Sequence, residues 1–168
     1  VKKVIYIIIA LAVIYIAFDI WSKAGRLTGK KFVAKYKHEN WQIFKNRELY
    51  VRGYNNGNPI ILLSHLYNTN PCCEVISFNK VSNTVDSVRS LDSDSWSTQL
   101  SVADSILILK FVSYGFRDLS VDSAGTVRIW IAQHTECPHL INFGNLKYKT
   151  KEYDQWTDLG DGWYEEKL

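Results

Sequence analysis

A chain of 168 residues holds one domain and an appendage, and 46% hydrophobic with 14% aromatic residues excludes intrinsic disorder as its main state. The net charge of +3 is unevenly spread: residues 1–37 carry eight Lys/Arg against Asp19, for +7, and residues 38–168 carry twelve against sixteen Asp/Glu, for −4. A mildly acidic domain argues against a nucleic-acid partner, which needs a basic face.

The chain begins Val1-Lys2-Lys3 and contains no Met, which a GTG start or a trimmed fragment would give; the expectation is the first, with Val1-Lys2-Lys3 before an apolar run read as a complete N-terminus. Val4 to Trp21 is an 18-residue run whose one charge, Asp19, lies close to its end. As a helix it reaches about 27 Å, at about 1.5 Å per residue, close to the bilayer's hydrocarbon thickness of about 30 Å. Apolar residues occur all round, with no polar stripe, so a surface helix of a globular fold is not expected. Trp21 at the boundary suits the membrane interface. The expectation is therefore a lipid-bilayer anchor over residues 4–21, within a segment 1–22. A signal peptide cut after Ser22-Lys23-Ala24 is the alternative, and the protein would then be secreted. Asp19, Ile20 and Trp21 make a poor approach to such a cut.

Residues 23–40 read as a basic juxtamembrane linker. Counted literally, Lys23, Arg26, Lys30, Lys31, Lys35 and Lys37 place the domain in the cytoplasm by the positive-inside rule. Short Lys-Lys-plus-apolar N-termini nevertheless act as export signals, and a periplasmic domain on a bacterial cytoplasmic membrane is the reading taken.

Residues 41–168 read as one β-rich domain. Trp41–Phe44, Glu48–Gly53, Pro59–Leu63, Glu74–Phe78, Thr84–Arg89, Ser105–Ser113, Leu119–Val121, Thr126–Ile131, Asn142–Tyr148 and Gly162–Glu165 are short runs rich in β-branched and aromatic residues. Turn residues such as Asn55-Asn56-Gly57-Asn58 separate them, which is strand-and-hairpin punctuation. Thr98–Asp104 is the one doubtful helix. The fold class expected is mostly β: a small antiparallel meander, sandwich- or barrel-like, behind a transmembrane helix.

Asp118-Leu-Ser-Val-Asp122-Ser-Ala-Gly-Thr-Val-Arg-Ile-Trp130 resembles the strand–turn–strand core of a WD-type propeller blade, and is similar also to the Asp-box turn of sialidase-like propellers. Ile131 stands where the first motif has Asp, and Ser120, Asp122 and Gly125 are one residue too widely spaced for the second. About 130 residues make three blades at best, too few for a ring. The stretch is read as a hairpin, and no family is assigned.

His134-Thr-Glu136-Cys137-Pro-His139 crowds four metal-ligating side chains together, and His134, Cys137, His139 and Cys72 would make a zinc set. The deaminase pattern of H-x-E and P-C-x-x-C fails here, because the order is reversed and the second Cys is missing. In an oxidising compartment Cys73–Cys137 (or Cys72–Cys137) would close a loop of about 65 residues, worth roughly 4 kcal/mol in the chain-entropy model. Asp92-Ser-Asp94-Ser-Trp96 lacks the glycine and the terminal glutamate of a calcium loop. Asp154, Asp158 and Asp161 read as turn residues near the C-terminus. Ser64 and His65, adjacent on a strand, face opposite sides. No phosphate loop, dinucleotide fingerprint or hydrolase elbow occurs, and no cofactor is expected. Trp96, Trp156, Trp163 and Tyr164 are the candidate interaction surface, while Trp41 and Trp130 are placed in the core.

The functional expectation is a membrane-anchored extracytoplasmic binding module without catalytic activity, an envelope accessory or immunity-type protein acting on a protein partner. The alternative is a metal-binding or enzymatic β domain using His134–His139.

Overall fold

A computed structural model describes residues 6, 9, 11–17, 27–66, 73–91, 96–97, 100–131, 139–144 and 155–167. Its strands are β1 (Arg47–Asn55), β2 (Asn58–His65), β3 (Cys73–Asn79), β4 (Thr84–Ser90), β5 (Trp96–Ser97), β6 (Asp118–Val121), β7 (Val127–Trp130), β8 (His139–Asn142), β9 (Trp156–Gly160) and β10 (Trp163–Glu166). They form one sheet in the order β5-β4-β3-β2-β1-β6-β7-β8-β10-β9, with every strand pair antiparallel. β5 and β9 are its edges, so the sheet does not close.

The mostly β expectation holds, and the sandwich or barrel does not. Among the described residues one open sheet is present, and helices supply its second layer. Helix α1 (Gly29–Tyr36), a 3₁₀ turn (Trp41–Phe44) and helix α2 (Val102–Tyr114) bury Phe32, Tyr36, Trp41, Phe44, Leu107, Ile108 and Phe111 against one face. That face presents the cross-strand row Leu63, Leu49, Leu119, Ile129 and Leu140, each fully or almost fully buried. Period-two alternation explains it, since every second residue of adjacent strands shares a side.

Helix α2 causes the first break in the meander, and a second lies where β10 enters between β8 and β9. After β5 at the edge, the chain returns through α2 and inserts β6 beside β1. Two ion pairs hold the helix down: Arg47 Nε lies 3.5 Å from Asp104 Oδ1, and Lys110 pairs with Glu39. The Lys110 ammonium, by hydrogen bond and charge, holds the Glu39 carboxyl below its usual range.

Three expectations change here. Ser105–Ser113 is helical and not a strand, Trp41–Phe44 is a 3₁₀ turn, and the second half of the 23–40 linker is α1, part of the core. Phe32, Val33 and Tyr36 fall on one side of α1 while Lys30, Lys31 and Lys35 fall on the exposed one. An amphipathic helix of that kind gains stability by burying its apolar stripe, and seven rings from Phe32 to Trp163 pack there, Phe32 and Trp163 edge to face at 4.9 Å. The packed domain therefore includes residues before Trp41.

Within the expected anchor, residues 6, 9 and 11–17 are helical and exposed, their large hydrophobic side chains from Tyr15 at 73% to Ile9 at 53%. Among the described residues no helix is long and apolar enough to cross a membrane; the rest of 4–21, and the Ser22–Ala24 cut, lie outside the described residues.

Candidate functional site

The other face of the sheet carries no helix among the described residues. Its side chains alternate with those of the core, and cross-strand pairing lines them up as Leu62, Tyr50, Asp118, Trp130 and His139. His139 Nδ1 lies 3.0 Å from Glu166 Oε2, and Glu166 stands opposite Trp156 on β9. A second row runs through Cys73, Ser64, Glu48, Ser120, Arg128, Ile141 and Tyr164.

Between these rows lies a cleft of about 300 Å³ whose wall includes Trp130, Trp156, His139, Glu48, Asp118 and Glu166. Each side chain has a local reason to be there. The β6–β7 turn is closed by Asp122, whose Oδ1 accepts from the Thr126 N–H at 2.8 Å, and Gly125 takes the left-handed φ of 85°. That hairpin sets Asp118 opposite Trp130. The Trp130 ring is held on two sides: Arg117 Cζ lies 4.7 Å from its centroid, and His139 meets it edge to face at 5.1 Å. Arg117 is in turn fixed by Nη2 donating to Tyr50 Oη at 3.4 Å. Trp130 Nε1 is buried and makes no hydrogen bond, so a donor at the cleft is unsatisfied, an arrangement worth about 1–3 kcal/mol when corrected.

The electrostatics centre on Glu48 and Asp118. They are diagonal neighbours on adjacent strands, since Glu48 pairs with Ser120 and Tyr50 with Asp118. Like charges so placed repel, and neither pairs with a cation among the described residues. Burial, with the Glu48 carboxylate second, pushes the Asp118 carboxyl up to about 6. At neutral pH the Asp118 carboxyl is mainly ionised, and although Arg128 lines the same cleft it pairs with neither carboxylate, which favours a bound cationic group.

The residues expected from sequence fare unevenly. Trp156 lines the cleft, and Tyr164 lies on the same face with its ring 5.6 Å from Phe143. Trp163 is a correction: it is 1% exposed and sits among Phe32 and Trp41, because its strand position points to the helices. Trp130, placed in the core from sequence, belongs to the cleft, whereas Trp41 is in the core. Trp96 occupies β5 opposite Arg89. Of the proposed zinc set, His139 is on β8, while Cys72, His134 and Cys137 lie outside the described residues, as do Glu136, Asp92, Asp94 and Asp154. No group of three metal-ligating side chains occurs among the described residues. Cys73 is a free thiol with Sγ 3.4 Å from Ser64 Oγ. It is on β3, five strand spacings from His139, or about 24 Å along the sheet at about 4.8 Å each.

Glu48, Arg117, Asp118, Arg128 and Glu166 were not singled out from the sequence. Their signal is alternation, polar positions between apolar ones in Glu48–Val51, Asp118–Val121 and Val127–Trp130, but the pairing that gathers them depends on the α2 return. Compared with known proteins, the chain matches no family model, no curated protein and no solved structure.

Proposed function

We propose that this protein is a non-catalytic binding module whose helix-free sheet face receives a partner protein, with the N-terminal apolar segment holding it at the bacterial cytoplasmic membrane and the domain in the periplasm. The observation that carries the reading is the cleft itself: Trp130, Trp156 and His139 beside the unpaired carboxylates Glu48 and Asp118. Aromatic floors give large contact area at small entropic cost, and a desolvated charge is where a partner's opposite charge contributes most. The favoured occupant is a polypeptide segment presenting Lys or Arg, which would sit between Glu48 and Asp118 and draw the Asp118 pKa down. Anchoring raises the effective concentration of such a module near envelope partners. An accessory subunit and an immunity-type protein that occludes a toxin both act in this way.

A second reading has one specific support. A carboxyl near 6 beside a second carboxylate is the arrangement of a general acid–base pair. It rests on that pair alone, and no group of three metal-ligating side chains accompanies it among the described residues.

A photo-crosslinking side chain at Arg128, exposed on the cleft face, tests the leading reading in intact cells, with one at Ser113 on α2 as control. A discrete adduct from position 128, absent from position 113 and lost in Glu48→Gln/Asp118→Asn, is expected. An adduct that ignores the two carboxylates, or none, sinks it.

A further inference from the structure

A second concavity lies at the end of the sheet, where the β1–β2 hairpin, the β3–β4 turn and the α2–β6 connection meet. Its volume is about 500 Å³, within the range of about 300–1,000 Å³ typical of small-molecule sites. Arg52, Lys80 and Arg117 line it with Tyr54 and Phe116, and no carboxylate does. None of the three cations pairs with a carboxylate among the described residues.

Each cation is placed by a separate device. The β1–β2 register shifts between Val51 and Gly53, and the bulge takes Arg52 out of the ladder. Lys80 is in a turn tied by two asparagines. Asn58 Oδ1 accepts its N–H at 3.0 Å, and Asn79 Oδ1 accepts those of Val81 and Ser82. Its Nζ lies 5.3 Å above the Tyr54 ring. Arg117 is braced by Tyr50 and Trp130, and its Nε is buried with no hydrogen-bond partner. Beside this groove a smaller depression is bordered by Tyr54, Lys80 and the half-buried Val112, above the buried Pro59 and Phe111.

Charge counting selects the ligand. The carbonyl end of α2, capped by left-handed Gly115, contributes roughly half a negative charge. Against three cations a carboxylate monoanion leaves about one and a half positive charges uncompensated, and a phosphate dianion leaves about half of one. Guanidinium forks also match phosphate oxygens. We propose that this groove is a binding site for a phosphate ester whose remaining body packs on the exposed Tyr54 ring and the half-buried Val112. The phosphate comes from a soluble ester or from a lipid headgroup.

The test uses the full chain, isotope-labelled, with phenyl phosphate as soluble probe and benzoate as monoanion control. Vesicles of phosphatidylcholine, with and without phosphatidic acid, form the lipid arm. Phenyl phosphate should shift the amides of Gly53, Lys80 and Arg117, and benzoate should not. Arg52→Ala and Lys80→Ala, both at exposed positions, should each weaken binding about tenfold, with unchanged melting. Affinity should rise between pH 5 and 7.5 as the phosphate loses its second proton near 6. Binding confined to phosphatidic acid vesicles and lost in the double variant assigns the lipid source. Binding in neither arm, survival in Arg52→Ala/Lys80→Ala, or a flat pH profile overturns the proposal.

Discussion

Asp118 shows how one side chain links stability to recognition. Its carboxyl ionises at about 6 in the folded chain and near 3.8 otherwise, so between those values the native state holds the extra proton. Stability from this group is therefore greatest below about pH 4, falls as pH rises through 6, and is flat above. Asp118→Asn mimics the protonated form and should raise stability at pH 7 by about 1–3 kcal/mol, an advantage lost at pH 4. Urea unfolding at both pH values checks it; a variant less stable at pH 7 contradicts the origin of the shift. The same change should cost partner adducts, a trade expected where a site is kept at the expense of stability. Phe32 is the opposite kind of residue. It is fully buried between Trp163, Trp41, Tyr36 and Phe116, and Phe32→Ala should cost about 3–5 kcal/mol in the same unfolding experiment.

The two helices are where sequence and structure part most. Strand runs were legible because half-buried strands alternate, and β1 to β4, β6, β7 and β10 fall close to their expected bounds. Helix α2 was not legible: Leu107, Ile108 and Phe111 are buried, yet Val102, Ile106 and Leu109 are exposed at 80%, 55% and 37%, so no apolar stripe marks one side. Its caps did carry the information. Ser101 Oγ accepts the Asp104 N–H at 3.0 Å and donates to Asp104 Oδ2 at 2.6 Å, and Gly115 ends the helix at φ 71°. Ser101→Ala should cost about 1 kcal/mol, read as a shift in melting midpoint. Helix α1 hid behind its lysines, although Gly29, Phe32, Val33 and Tyr36 keep helical spacing. At Gly29 an added Cβ would come within 2.8 Å of the side-chain ends of Glu165 and Leu159, which would have to move aside. A chain beginning at Trp41 should therefore fail to fold cooperatively, whereas one beginning at residue 27 should melt in a single transition. The cleft was less legible than either helix, because Glu48 and Asp118 are 70 positions apart and only the α2 return sets β6 against β1.

For the whole molecule, the placement of α1 changes the argument about orientation. Lys30, Lys31 and Lys35 are exposed on a helix packed into the domain, and Lys37 pairs with Asp161 at 3.4 Å. In the proposed membrane-held module such a basic face would be drawn to anionic headgroups by about 1 kcal/mol per residue. It sets topology only if these charges stop translocation. An export-dependent reporter fused after Leu168, paired with a cytoplasm-only fluorescent one, separates the cases. The proposed periplasmic module predicts activity from the export-dependent reporter alone. It also predicts that Lys30→Gln/Lys31→Gln/Lys35→Gln leaves that result unchanged, because on that proposal the Lys2-Lys3 segment is the export signal. Cytoplasmic signal alone, reversed by the same three changes, would mean that the basic flank holds the domain inside. Envelope partners and the immunity-type role would then be abandoned, and the cleft's cationic partner sought in the cytoplasm.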